Sequence, residues 1–327
     1  MKAPLFKDIV AAADRIAGVA IETPLLENPL LNEDLGARIF LKPENLQRVG
    51  AFKFRGAYNR LVQLTPEERT RGVVAFSSGN HAQGVASAAK ILGIEATIVM
   101  PSDAPEMKVE NTRGYGARVV LYDRATESRE DIAAEIAREK GSVVVPAFED
   151  PHIIAGQGTA ALEVIRQVGE RGAKLDAFLC PVGGGGLASG SGIVLNELSP
   201  ETKVYGVEPQ NFDDLGRSLK SGQRETNEKF SGSVCDALLS PSTGDLTFSI
   251  LQQRLDGAFS VSDDEALGAV KYAWQKLKLV LEPGGATGLA ALLYGKLGVR
   301  GMTVAVLLSG GNVDEETFIR ALSADMR

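Results

Sequence analysis

Cysteine, histidine and tryptophan are scarce in this chain of 327 residues, which holds two, two and one of them. Cys180 and Cys235 are too few for a disulfide framework, so a reducing, cytoplasmic setting is expected. The two histidines and two cysteines are scattered along the chain, so no His/Cys cluster suggests zinc. Aromatic residues make up 6% of the chain, which leaves no stacking platform for single-stranded nucleic acid. A net charge of −7 argues in the same direction, since phosphate backbones select basic surfaces. No window reaches the roughly 18 uninterrupted apolar residues of a membrane span. Asp8 and Asp14 interrupt the N-terminal apolar stretch, which argues against a secretory signal and for an amphipathic first helix. What remains is 44% hydrophobic and 24% charged, an ordinary globular balance in a chain long enough for two domains.

Short apolar runs alternate with helix-length segments almost throughout. Strands are predicted at Arg38–Leu41, Gly72–Phe76, Ala96–Met100, Ala117–Tyr122, Val143–Val145, Ala177–Pro181, Val204–Val207 and Thr303–Leu308. Helices are predicted at Ala82–Leu92, Ser128–Glu139, Ala160–Val168, Asp263–Lys278 and Thr287–Leu293, among others. This alternation predicts an α/β protein of open, mainly parallel twisted sheets with helices on both faces. The strands read as continuous apolar runs, as expected where both faces are covered. The units between about 72 and 148 form one block, so the flanking pieces must share a second sheet. The expected division is a large domain of 1–66 with 150–327 and an inserted small domain of 67–149.

Chemistry-bearing residues concentrate in a few turns. Lys53 stands between Phe52 and Phe54 with glycines close on either side, partly shielded and approachable. Loss of hydration disfavours an ammonium, so such a lysine suits the role of amine nucleophile toward an aldehyde cofactor. Taken alone, it also reads as a surface lysine. The run Gly183-Gly184-Gly185-Gly186 follows an apolar strand and opens a helix-like stretch through Leu187. Backbone N–H groups converge on an anion at such a place, and four successive glycines carry an entropic cost that close ligand approach explains. No GK[ST] follows, so it is not a P-loop. Gly183, Gly185 and Ala188 do fit GxGxxA, and Glu208 ends the next strand, so a nicotinamide dinucleotide site remains a rival. That reading leaves Lys53 and the turn Ser309-Gly310-Gly311-Asn312 without a purpose.

Ser77, Ser78, Asn80 and His81 also follow an apolar strand and open a helix, a setting suited to a substrate carboxylate. His81 reads equally as a capping or packing residue. Arg129 reads by spacing as a solvated arginine paired with Glu127 or Glu130. Glu208 and Asp214, six apart with the Phe212 carbonyl between, offer hard oxygen ligands for Mg²⁺, Ca²⁺ or Mn²⁺, although a solvated acidic turn has the same composition.

The ordered set GAFKFRGA (50–57), SSGNHAQG (77–84), AGQGT (155–159), PVGGGGL (181–187), YGVEP (205–209), LEPGGATG (281–288) and LSGGNVD (308–314) resembles the fold-type II pyridoxal-phosphate enzymes. Within them it is similar to the threonine/serine dehydratase and serine racemase branch, 3-hydroxyaspartate dehydratases included. The resemblance implies a tryptophan synthase β-like fold with pyridoxal 5'-phosphate between the domains, and a homodimer. It implies that Lys53 carries the cofactor, Phe52 lies against its ring, and Asn80 meets its phenolic oxygen. Gly183–Gly186 and Leu187 would enclose the phosphate, and Ser309 would face the ring nitrogen. Ser78 would move a proton on the ring face opposite Lys53, since serine stands there in racemases and 3-hydroxyaspartate dehydratases. Arg129 would reach the substrate carboxylate region, and Glu208, Phe212 and Asp214 would hold a divalent cation.

The expected activity is removal of water from L-threonine or L-serine to give a 2-oxo acid and ammonia. 3-Hydroxyaspartate dehydration and serine racemisation are alternatives on the same scaffold, and a nicotinamide oxidoreductase is the alternative of another class. The last 15 residues finish a helix and leave no C-terminal sensor domain, which favours a catabolic role.

Overall fold

The computed structural model describes residues 1–324 except Ser78, Pro105 and Phe230. The described residues form two sheets. The strands, in chain order, are β1 (Leu26–Glu27), β2 (Arg38–Pro43), β3 (Val73–Phe76), β4 (Ala96–Pro101), β5 (Arg118–Tyr122), β6 (Val143–Val144), β7 (Ala177–Pro181), β8 (Lys203–Pro209), β9 (Gly257–Val261) and β10 (Thr303–Leu308). Six form the larger sheet in the order β1-β2-β10-β7-β8-β9, and four form the smaller in the order β5-β4-β3-β6. Every pairing of these strands is parallel except β1 on β2. The mainly parallel α/β architecture expected from the apolar runs is therefore the one observed.

The pattern of burial explains it. β7 is buried at every position and β10 at all but its first, because helices cover both faces. Two cores flank the larger sheet. One gathers Phe40, Phe178, Val194 and Leu251; the other gathers Ile39, Leu179, Val270 and Leu289. A third core, around Phe54, Leu61, Val85 and Ile98, joins the smaller sheet to the helix Lys53–Leu61. Among the described residues no helix is long and apolar enough to cross a membrane.

Two strands escaped the sequence reading. β1 has only two residues, and β9 is half-exposed over four of its five, so neither presents an apolar run. The helix expected at Ala160–Val168 begins at Pro151, with Asp150 accepting from the His152 and Ile153 N–H groups at 2.7 and 3.0 Å. An Asp-Pro pair is a helix-start signal. The helix expected at Thr287–Leu293 begins at Pro283, since Gly284 and Gly285 are helical rather than part of a loop.

Candidate active site

The C-terminal ends of β3, β7 and β10 and the start of the Lys53–Leu61 helix open onto one cavity of about 530 Å³. Phe52 N–H donates to the Ser309 carbonyl at 3.1 Å, and Ala51 bridges Gly310, so two motifs from distant parts of the chain meet there. Lys53 Nζ donates to the Ala147 carbonyl at 3.0 Å and lies 5.2 Å from the Phe52 ring centroid. Burial pushes its ammonium down to about 8, with the Glu282 carboxylate opposing that shift in part. The shielding inferred from the flanking phenylalanines is thus present.

Asn80 opens the helix Asn80–Leu92. Its Nδ2 donates to Glu282 at 2.6 Å, and its Oδ1 accepts from Asn312 at 2.8 Å. His81 is buried beside it with Nε2 on the Val145 carbonyl at 2.9 Å. A carbonyl only accepts, so Nε2 carries the hydrogen. Burial, then the Lys53 charge, pushes the ring down to about 3, and the imidazole is neutral. Ser77 and Ser309 line the cavity, Ser309 being 4% exposed. Ser78 lies outside the described residues. Arg129 lines the mouth, stacked 5.4 Å from the Phe76 ring centroid and paired with Glu130 at 2.8 Å. The pairing expected from spacing is real, and it holds the guanidinium at the cavity.

Gly183–Gly186 join β7 to the helix Gly186–Leu198, and Leu187 lines the cavity beside them. Gly185 has φ +92°, a left-handed conformation that favours glycine. A Cβ on Gly184 would strike the Phe148 ring, and one on Gly183 would stand 3.1 Å from Leu238 Cα. Gly184 is fixed by the Thr247 hydroxyl, which donates to its carbonyl at 2.8 Å. The helix N-terminus thus forms a cup with room for an anion and none for side chains. Among the described residues, four buried polar atoms without a partner belong to this cavity wall: His81 Nδ1, Glu149 Oε2, Gln157 Nε2 and Thr243 Oγ1. An amine-bearing lysine, an anion cup and unmatched polar atoms fit an aldehyde phosphate such as pyridoxal phosphate.

Lys108, Glu149, Gln157, Asp236 and Glu282 are among the wall residues that were not assigned from sequence. Gln157 and Glu282 lie inside recognised motifs, AGQGT and LEPGGATG, so the signal was present but its chemistry was not drawn. Burial, then Asp236, pushes Glu282 up to about 7.

Glu208 and Asp214 do not line the cavity. Both are buried, as is Phe212 between them. Glu208 accepts from Leu215 and Gly216 N–H, each at 2.9 Å, at the start of the helix Asp214–Ser221. Asp214 accepts from Asn227 Nδ2 at 2.8 Å and Thr243 N–H at 2.7 Å. Burial raises both carboxyls, Asp214 to about 6 and Glu208 well above its ordinary value with Asp214 adding to it. This is not a solvated turn. Among the described residues no group of three or more His, Cys, Asp or Glu is placed to hold a metal ion. Two carboxylates fit a hard cation only if backbone carbonyls complete the shell.

Comparison with known proteins decides the family. Residues 16–310 match the family model described as "Pyridoxal-phosphate dependent enzyme". The chain belongs to the pyridoxal-phosphate dependent enzymes. This enzyme is 43% identical to the L-threo-3-hydroxyaspartate ammonia-lyase of Saccharomyces cerevisiae, over 99% of its own length and 98% of the yeast protein. It is 42% identical to the serine racemase of Schizosaccharomyces pombe, over 98% of each chain. The crystal structure of a threonine deaminase from T.th. superposes with a TM-score of 0.90 at 44% identity, covering 95% of this chain and 99% of that one. Family membership sets aside the nicotinamide alternative and makes pyridoxal phosphate the cofactor of this enzyme.

Proposed function

We propose that this enzyme removes water from a β-hydroxy amino acid, with release of a 2-oxo acid and ammonia. The observation that carries the reading is the convergence of Lys53, Asn80, the glycine cup and Ser309 on one cavity. The bound cofactor supplies the electron sink that acidifies the α-proton. Lys53 would hold the cofactor and, when its Nζ is free, would accept that proton. Gly183–Gly186 and Leu187 would hold the phosphate, Phe52 would support the ring, and Asn80 would meet the phenolic oxygen. The Ser309 hydroxyl would face the ring nitrogen without the full charge of a carboxylate, which would temper the sink and favour elimination. Ser77 would help seat the substrate carboxylate, whereas the neutral His81 side chain, its one N–H committed to the Val145 carbonyl, has no donor left to offer it.

L-threonine, L-serine and 3-hydroxyaspartate are the substrates in contention. Arg129 at the cavity mouth favours the last, because a cation there suits a second carboxylate, and the yeast relative's name agrees with this choice. The test is an assay of 2-oxo acid release across all three. No release from any of them would sink the dehydratase reading.

Serine racemisation is the second reading, and it rests on Ser78 as the base opposite Lys53. Ser78→Ala is expected to spare dehydration of L-substrates and to remove racemisation and D-substrate turnover. Equal loss of both activities would show that Ser78 serves binding only.

We also place a divalent cation (Mg²⁺, Ca²⁺ or Mn²⁺) at Glu208, Asp214 and the Phe212 carbonyl, because two buried carboxylates are costly without a counter-charge. Chelation with EDTA is then expected to lower the melting temperature and any of the three ions to restore it. At a hundredfold excess over Kd, binding stabilises by about 2.7 kcal/mol. Asp214→Ala should abolish that response while the cofactor stays bound. An unchanged melting curve on chelation would remove the cation from the account. The domain limits 1–66 with 150–327 and 67–149, a homodimer and a cytoplasmic location complete the proposal.

A further inference from the structure

The geometry points to Gln157 as an additional cofactor residue, whose carboxamide Nε2–H donates to the phosphate group. The inference rests on the pyridoxal-phosphate assignment of the cavity. Gln157 is 1% exposed and lies on the helix Pro151–Glu170. Its Oε1 accepts from the Gly56 N–H at 3.1 Å. A backbone N–H can only donate, so the oxygen must face Gly56 and the NH₂ group is the free end. The amide is clamped there, since a Cβ on Gly56 would collide with it. Nε2 is buried and has no partner. A clamped, desolvated donor is costly unless an acceptor enters the cavity.

The flanking residues say which acceptor. Gly156 packs against Gly56 on the lysine-bearing helix, where a Cβ would stand 2.7 Å from the Arg55 carbonyl. Gly158 packs against Gly190 on the helix that the cup opens, where a Cβ would stand 3.0 Å from the Gly190 carbonyl. Gln157 therefore sits between the helix that supplies Lys53 and the helix that supplies the cup. A cofactor held by Lys53 at one end and by the cup at the other places its phosphate arm across that gap. The phosphate is the acceptor that a donor-only group between those helices takes.

Two variants test it in the purified apoenzyme. Gln157→Glu keeps an oxygen for the Gly56 N–H and removes the donor, while Gln157→Met removes the whole amide at similar volume. Affinity for pyridoxal phosphate and for phosphate-free pyridoxal is measured by absorbance titration, with the melting temperature of each apo variant as a fold control. A charge-assisted hydrogen bond lost from the complex should weaken pyridoxal phosphate binding about tenfold or more in both variants, with pyridoxal affinity as in wild type. Pyridoxal phosphate affinity within about twofold of wild type in Gln157→Glu would overturn the assignment. So would an equal loss for pyridoxal and pyridoxal phosphate, which would make the amide a packing element. Failure of wild type itself to bind pyridoxal phosphate would sink the cofactor reading first, and this inference with it.

Discussion

Lys53→Ala is expected to lose turnover by several orders of magnitude, the largest effect of any single change in this enzyme. In the proposed mechanism two tasks depend on one nitrogen, holding the cofactor and accepting the α-proton. Only the neutral amine does either. With its ammonium pushed down to about 8 by burial, Lys53 has a useful neutral fraction near neutral pH, where an ordinary lysine at 10.5 has almost none. Capture of pyridoxal phosphate by the apoenzyme should accordingly quicken as pH rises through about 8 and then level off. Stopped-flow absorbance reads that profile directly. The Ala variant should still take up the cofactor through the cup but without the visible band of a lysine-bound aldehyde. Retention of that band, or of more than trace 2-oxo acid release, would show that another amine does the work.

Arg55→Met should produce the largest loss of stability. Arg55 and Glu44 are both 0% exposed and bonded through two contacts at 2.7 and 2.8 Å. Glu163 meets the same guanidinium at 2.6 and 2.9 Å, and Lys42 meets Glu163 at 2.5 Å. Breaking one partner of a buried pair costs about 3–5 kcal/mol, because the other charge stays desolvated. Burial alone would raise the Glu44 carboxyl, yet Arg55 holds it below its ordinary value. A depressed carboxyl contributes stability above its unfolded pKa, and that contribution disappears as pH falls. Without Arg55 the direction reverses and Glu44 can take up a proton, so the deficit should be greatest near neutral pH and shrink toward acid. Urea unfolding at several pH values measures it, and adding Glu44→Gln should recover part of the loss. A deficit independent of pH would mean that lost packing, not stranded charge, is responsible.

The sequence made the layout legible where burial and chemistry coincide. β7 and β10 are apolar from end to end because they are central, so both were found with their observed limits. β9 lies at an edge and half in solvent, and its composition is under no such demand. Lys53, the glycine cup and Ser309 were readable because each needs an uncommon local pattern. Gln157 and Glu282 were not, because glutamine and glutamate are common residues whose meaning here comes from what faces them across the fold. The acidic pair shows a subtler limit. Its spacing suggested oxygen ligands, but only the fold shows that helix and loop N–H groups already occupy the same carboxylates.

The place of β10 governs how the enzyme is born. It is the last strand among the described residues, yet it lies between β2 and β7 near the middle of the larger sheet. Until residue 308 has left the ribosome, β2 and β7 each present an unpaired edge, and the halves of that sheet have nothing to join them. The same strand delivers Ser309, to which Phe52 is bonded, so the segment bearing the lysine gains that anchor only when β10 arrives. The smaller sheet, complete by residue 144, is free to form well before that. The smaller sheet can therefore form first and the larger one close last, and a chain cut short of β10 carries two unpaired edges and lacks Ser309 at the cavity.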